Sequence, residues 1–99
     1  MWILALAAFW AAAPLAHAQG LPDDTARSLA ATCANCHGTD GHSVGGTEPL
    51  AGVPRDTLLC KLDAFRSGEK PATIMHQIAK GYTPEQLALI ATYFAAQRP

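Results

Sequence analysis

The sequence has 99 residues, with seven basic residues, eight acidic residues and a formal net charge of −1. A chain of this length is expected to form one domain. Its near-neutral charge argues against a nucleic-acid partner and against a polybasic membrane patch.

The first 18 residues have the composition of a secretory signal peptide. Residues 2–13 are almost wholly apolar, Pro14 interrupts the run, and Ala-His-Ala at residues 16–18 matches a cleavage site. The apolar run is shorter than an ordinary transmembrane helix, although an uncleaved anchor is an alternative. We therefore predict a signal peptide at 1–18, one domain at 19–99, and no membrane span after cleavage.

The first predicted helix runs from about Thr25 to Ala34. Asp23 or Asp24 is expected to cap it, since both side chains suit a helix N-terminus. Four apolar residues then follow at positions i, i+3, i+4 and i+7, which places them on one helix face: Ala26, Leu29, Ala30 and Cys33.

The sequence CANCH at residues 33–37 has the spacing that attaches a c-type haem. Each cysteine sulfur can form a thioether with one vinyl group, and the adjacent imidazole can bind the iron. A zinc site would need a second ligand pair, and only Cys60 remains. A thioredoxin-type pair would need a βαβ setting, and a structural disulfide leaves the histidine unexplained. We therefore predict that Cys33 and Cys36 bind haem covalently and that His37 is an axial ligand.

Residues 38–47 contain four glycines and no helical periodicity, so they are predicted to form a loop. The glycines would allow the backbone to approach a flat ligand without a clashing Cβ. A backbone carbonyl within residues 48–52 is expected to accept a hydrogen bond from the second ring nitrogen of His37, which would orient the imidazole.

A second helix is predicted from Pro54 to Arg66, with Gly68 just beyond its end. Cys60 lies off the apolar stripe of this helix and is expected to be partly buried; an exposed free thiol is the alternative. The stripe itself consists of Leu58, Leu59, Leu62 and Phe65.

Two further segments complete the chain. Residues 71–80 are predicted to form a short helix or a loop that becomes helical after Met75. The last helix has the strongest start signal, with Thr83 as cap, Pro84 in the first position and Gln86 completing a capping box. Its apolar face is expected to pack on the first helix and consists of Leu87, Ile90, Ala91 and Phe94.

The candidates for the second iron ligand are Met75, His42 and His76. A thioether favours ferrous iron and raises the reduction potential, as in electron-carrying cytochromes, whereas two histidines would give a lower potential. An empty sixth position would instead favour chemistry at the iron. Met75 is the preferred candidate, because His42 follows the attachment site closely and His76 would point elsewhere if Met75 faced the iron.

The chain resembles class I c-type cytochromes, and more closely the small monohaem cytochrome subunits of flavocytochrome c sulfide dehydrogenases. The resemblance implies an all-α fold of three to four helices around one covalent haem c. The family usually has proline where Glu48 stands, so either the Glu48 or the Pro49 carbonyl is expected to orient His37. The matching stretches are residues 33–41, 43–46, 50–52, 71–82 and 93–97.

The resemblance also implies a function. It predicts a periplasmic electron-transfer protein without enzymatic activity, which accepts electrons from an FAD-containing flavoprotein that oxidises sulfide. A free soluble cytochrome that carries electrons to an oxidase or peroxidase is the alternative. Basic residues that could serve either interface are Lys61, Arg66, Lys70 and Lys80.

Overall fold

The computed structural model describes residues 22–99 together with Ala8. The predicted signal peptide, apart from Ala8, and its cleavage site therefore lie outside the described residues. Within residues 22–99 there is no β-strand, and no helix there is long and apolar enough to cross a bilayer. The predicted all-α class is confirmed, with three longer and two short helices and one 3₁₀ turn. These are α1 Pro22–Ala31, α2 Ala34–His37, the 3₁₀ turn Thr39–Gly41, α3 Arg55–Ser67, α4 Met75–Lys80 and α5 Pro84–Ala95.

The predicted first helix is divided in two. Helix α1 begins at Pro22, where the fixed φ of proline suits a first helical turn, so Asp23 and Asp24 lie inside the helix rather than before it. It ends because the Cys33 amide bonds to the Ala30 carbonyl at 3.0 Å, a tight i−3 pairing. The chain then restarts as α2, and both predicted ends of the helix were wrong.

The core lies where α1 and α3 both pack against α5. The apolar faces predicted for the first and last helices are confirmed, since both contribute to this cluster. Such a small core is marginal for a domain of this size, which is consistent with a need for a large apolar cofactor. The buried cluster consists of Ala30, Leu58, Leu87, Ile90, Ala91 and Phe94.

The ends of the later helices follow their sequence signals. Gly68 ends α3 in a left-handed conformation with φ of 84°. The predicted capping box starts α5, because the Thr83 amide donates to Gln86 Oε1 at 2.9 Å and the Gln86 amide donates to Thr83 Oγ1 at 3.1 Å. Helix α4 begins at Met75, as one of the two alternatives predicted.

The burial predicted for Cys60 was wrong. It is exposed on α3 rather than partly buried, so the alternative of an exposed free thiol is the observed one. The reason is the orientation of α3, which contacts the core through Leu58 and Leu62. Residue 60 lies on the opposite side of a helix from residues 58 and 62.

Candidate functional site

The helices surround a cavity of about 440 Å³. Four residues singled out in the sequence line it, namely Cys33, Cys36, His37 and Met75. They come from α2, the turn before it and the start of α4, so the fold joins two segments that are distant in the chain. The remaining lining is mainly apolar, as is typical of cofactor sites. It includes Leu50, Leu58, Leu62, Phe65, Ile90 and Phe94.

The orientation of His37 is set by one backbone group. Its Nδ1 lies 2.6 Å from the Glu48 carbonyl oxygen, and because a carbonyl only accepts, Nδ1 carries the proton. Nε2 is then the nitrogen left to bind a metal. The prediction of an orienting carbonyl within residues 48–52 is confirmed, and of the two candidates the structure has Glu48 rather than Pro49.

The two cysteines of the motif lie in different surroundings. Cys33 is half-buried and packs against the core, whereas Cys36 is exposed. Burial raises the pKa of the Cys33 thiol, and a hydrogen bond with Thr32 opposes this effect. Both sulfurs border the same cavity, as two thioether bonds to one porphyrin require.

The three candidates for the second ligand occupy different places. Met75 lines the cavity, whereas His42 and His76 are not among its lining residues. His42 Nε2 lies 2.5 Å from the Arg98 carbonyl, so this ring holds the C-terminal segment. His76 is half-buried, and its Nδ1 has no hydrogen-bond partner within residues 22–99.

The glycines of the 38–47 loop are not among the residues that line the cavity, and their role beside a flat ligand stays a prediction. Gly41 shows what one of them does. It is buried, and its carbonyl accepts hydrogen bonds from the amides of Leu50 at 2.9 Å and Ala51 at 3.2 Å. A Cβ at Gly41 would lie 2.9 Å from Phe94 Cδ1. The glycine therefore permits close protein packing behind the site.

Sequence reasoning missed an ion pair at the cavity. Lys61 Nζ lies 2.5 Å from Glu48 Oε1, and both residues line the cavity. The hydrogen bond from Lys61 lowers the pKa of the Glu48 carboxyl. The glutamate at position 48, where the related family usually has proline, was the available signal. It did not indicate which residue the carboxylate would contact.

A second missed contact joins the two halves of the site. The hydroxyls of Thr32 and Tyr82 lie 2.6 Å apart. Thr32 follows α1 and lines the cavity, and Tyr82 follows α4, the helix that begins at Met75. This hydrogen bond links the cysteine motif to the methionine segment.

The donor set and the cavity fit a covalent haem. Two thiols separated by two residues, an adjacent imidazole with one nitrogen left for a metal, and a thioether border one mainly apolar cavity. Thioether attachment with histidine and methionine ligands uses these same groups.

Comparison with known proteins gives a consistent result. A family model described as cytochrome c matches residues 23–97. The chain is 41% identical over 66 residues to the cytochrome subunit of sulfide dehydrogenase from Chlorobaculum tepidum, a match covering 67% of this chain and 60% of that protein. It is 34% identical over 95 residues to the thiosulfate dehydrogenase electron acceptor of Thiomonas intermedia, covering 94% and 41%. It is 36% identical over 70 residues to cytochrome c-554(548) of Halomonas halodenitrificans, covering 67% and 84%. The chain thus spans less than two thirds of the length of the first two relatives.

Proposed function

Since the chain belongs to the cytochrome c family, whose members transfer electrons through covalently attached haem, we propose that it is a periplasmic electron carrier with His37 and Met75 as axial iron ligands. It carries one haem c and is an electron-transfer protein rather than an enzyme. The proposal rests mainly on one observation, which is that Cys33, Cys36, His37 and Met75 all border the same cavity.

Cys33 and Cys36 would attach the cofactor. Each thiol would add across one vinyl double bond, so that a sulfur–carbon bond forms and the thiol hydrogen passes to the neighbouring vinyl carbon. Helix α2 holds both residues within one turn, because the His37 amide bonds to the Cys33 carbonyl at 2.9 Å. The attached group supplies an iron that cycles between the ferric and ferrous states.

His37 and Met75 would set the reduction potential from two sides. His37 donates to the Glu48 carbonyl through Nδ1, which fixes the ring and increases its electron donation to a metal. Met75 would provide a soft sulfur ligand that favours ferrous iron. The apolar lining excludes water, and a less polar surrounding also disfavours the more highly charged ferric state.

The test of the ligand assignment is the absorption spectrum of the purified holoprotein. The wild-type ferric protein should show the weak far-red sulfur-to-iron band, and Met75→Ala should abolish it and lower the reduction potential. His76→Gln is the matched control, because His76 is adjacent but does not line the cavity. A band that survives Met75→Ala, or one that disappears in His76→Gln, would show that the wrong residue was assigned.

We further propose a flavoprotein as the electron donor. Support comes from the relative named as the cytochrome subunit of sulfide dehydrogenase. The proposal also rests on the sequence resemblance to the small subunits of flavocytochrome c sulfide dehydrogenases, whose electron donor is an FAD-containing flavoprotein.

A free shuttle is the second candidate. The relative named as the electron acceptor of thiosulfate dehydrogenase matches 94% of this chain, which favours an exchangeable carrier. A permanent subunit needs a large apolar interface, whereas a shuttle makes a small one steered by charge. Size-exclusion chromatography of the native protein separates these possibilities: stoichiometric flavin at the size of a complex supports the subunit, and a flavin-free monomer supports the shuttle.

Export is proposed from the composition of residues 1–18. Mass spectrometry of the native holoprotein should find Gln19 as the first residue, and a chain that retains Met1 would refute cleavage.

A further inference from the structure

We propose that Lys61 is a positioning residue, and that its ion pair with Glu48 holds the Glu48 carbonyl against His37 and thereby lowers the reduction potential. The inference rests on the proposed function, because it takes His37 as an iron ligand. It adds a residue that lies outside the haem-attachment motif.

The first step is that one residue makes both contacts. The Glu48 carbonyl accepts the His37 Nδ1 proton at 2.6 Å, and the Glu48 carboxylate accepts from Lys61 Nζ at 2.5 Å. Movement of Glu48 therefore changes both distances together. Lys61 is an internal residue of α3, the longest helix among residues 22–99, so the helix fixes the backbone from which its side chain reaches Glu48.

The second step is that little else holds this part of the loop. Within residues 22–99, the amides of residues 46–48 donate no hydrogen bond to another backbone group, and Pro49 has no N–H to donate. The next anchor along the chain is the Leu50 amide, bonded to the Gly41 carbonyl at 2.9 Å. A proline at position 48 would restrict φ by its ring. Glutamate lacks that restriction, and its side-chain bond to α3 supplies an alternative constraint.

The third step is the sign of the effect on the iron. A hydrogen bond from Nδ1 to a carbonyl increases electron donation by the imidazole and so favours ferric iron. When that bond loosens, the reduction potential should rise. Loss of a nearby positive charge has the opposite effect. A positive charge destabilises ferric iron more than ferrous iron, so removing it favours the ferric state and lowers the reduction potential. A lysine that acts only as a charge and a lysine that positions Glu48 therefore predict opposite shifts.

The experiment compares two lysine substitutions in the holoprotein. Compared with Lys70→Met, which loses the same charge, Lys61→Met should have a ratio of ferrous to ferric protein about threefold higher at a fixed solution potential. This corresponds to a reduction potential higher by about 30 mV at 59 mV per decade. Lys70→Met is the matched control. Lys70 also lies near the cavity, with its Nζ 5.0 Å from the Phe65 ring centroid, but it does not bond to Glu48. Its loss removes the same charge and should lower the potential.

A second measurement reports the bond directly. Exchange of the His37 Nδ1 proton, followed by NMR in the reduced protein, should be faster in Lys61→Met and unchanged in Lys70→Met. Lys61→Arg should restore both the potential and the exchange rate. If Lys61→Met fails to fold, Glu48→Ala tests the same step, because it removes the carboxylate, retains the carbonyl and should accelerate exchange.

The outcomes are distinct. A lower potential in Lys61→Met with an unchanged exchange rate, or an unchanged exchange rate in Glu48→Ala, overturns the positioning role. Failure of the proposed function would show differently, since the wild-type protein itself would then lack the far-red band of methionine ligation.

Discussion

Replacing Gly41 with alanine tests how closely the loop behind His37 is packed. Gly41 has φ of 83°, and a Cβ there would lie 2.7 Å from the Ala51 amide nitrogen and 2.9 Å from Phe94 Cδ1. Neither neighbour can move easily, because Ala51 belongs to the backbone segment bonded to Gly41 and Phe94 is 2% exposed. Gly41→Ala should therefore destabilise the holoprotein and displace the segment that follows Glu48.

Two effects contribute to the loss in free energy of unfolding expected for Gly41→Ala. A left-handed conformation costs a residue with a Cβ about 1–2 kcal/mol. Overpacking adds about 1–3 kcal/mol when the neighbours are held in place. Against this, alanine reduces the entropy of the unfolded chain by about 0.4–1 kcal/mol. The expected loss in free energy of unfolding for Gly41→Ala is therefore about 2–4 kcal/mol.

Substitutions at two other glycines distinguish the conformational contribution from the packing contribution. Gly68 has φ of 84° but no atom within 4 Å of its Cβ position, so Gly68→Ala should show the conformational cost alone, about 1 kcal/mol. Gly45 has neither a positive φ nor a neighbour within 4 Å, so Gly45→Ala should be neutral or slightly stabilising.

Guanidinium unfolding of the ferric holoprotein, followed by far-ultraviolet circular dichroism, measures all three free energies. The m value should be unchanged, so that shifts in midpoint report stability. The reasoning is refuted if Gly41→Ala loses no more stability than Gly68→Ala, since the packing contribution would then be absent.

Two further changes test contacts at the ends of α4 and α5. Thr83→Ala should lower the free energy of unfolding by about 1 kcal/mol, because it removes the acceptor for the Gln86 amide. The double variant with Gln86→Ala should lose less than the sum of the two single losses, and additive losses in the same unfolding assay would argue against a coupled capping box. Tyr82→Phe removes the hydroxyl bonded to Thr32 and should cost about 0.5–1.5 kcal/mol. With Met75 as the proposed iron ligand, the same change should let imidazole displace it faster. An unchanged displacement rate by stopped-flow spectroscopy, with Thr32→Val as the matched variant, would show that this contact does not hold the methionine segment.

Much of the fold could be predicted from local sequence, because local signals act over one or two helical turns. The capping box of α5 and the apolar faces of α1 and α5 need only the spacing of side chains along one helix. The haem-attachment motif is equally local, since its three functional residues lie within five positions.

Two features were missed although their causes are local. The break between α1 and α2 was missed because an i−3 bond at Cys33 competes with helical continuation, and residue spacing does not reveal which one forms. Cys60 was misplaced even though helix periodicity puts position 60 opposite Leu58 and Leu62, so its exposure follows from the same spacing that defines the apolar stripe.

The sequence by itself determined the chemistry of this protein: two thiols and a histidine spaced for haem attachment, and a small set of candidates for the second ligand. Only the tertiary structure decided which groups meet. It brought Met75 rather than His42 or His76 to the cavity, and it chose the Glu48 carbonyl for His37. The physical reason is that bond type follows from residue identity, whereas distance between residues far apart in the chain follows from how the helices pack.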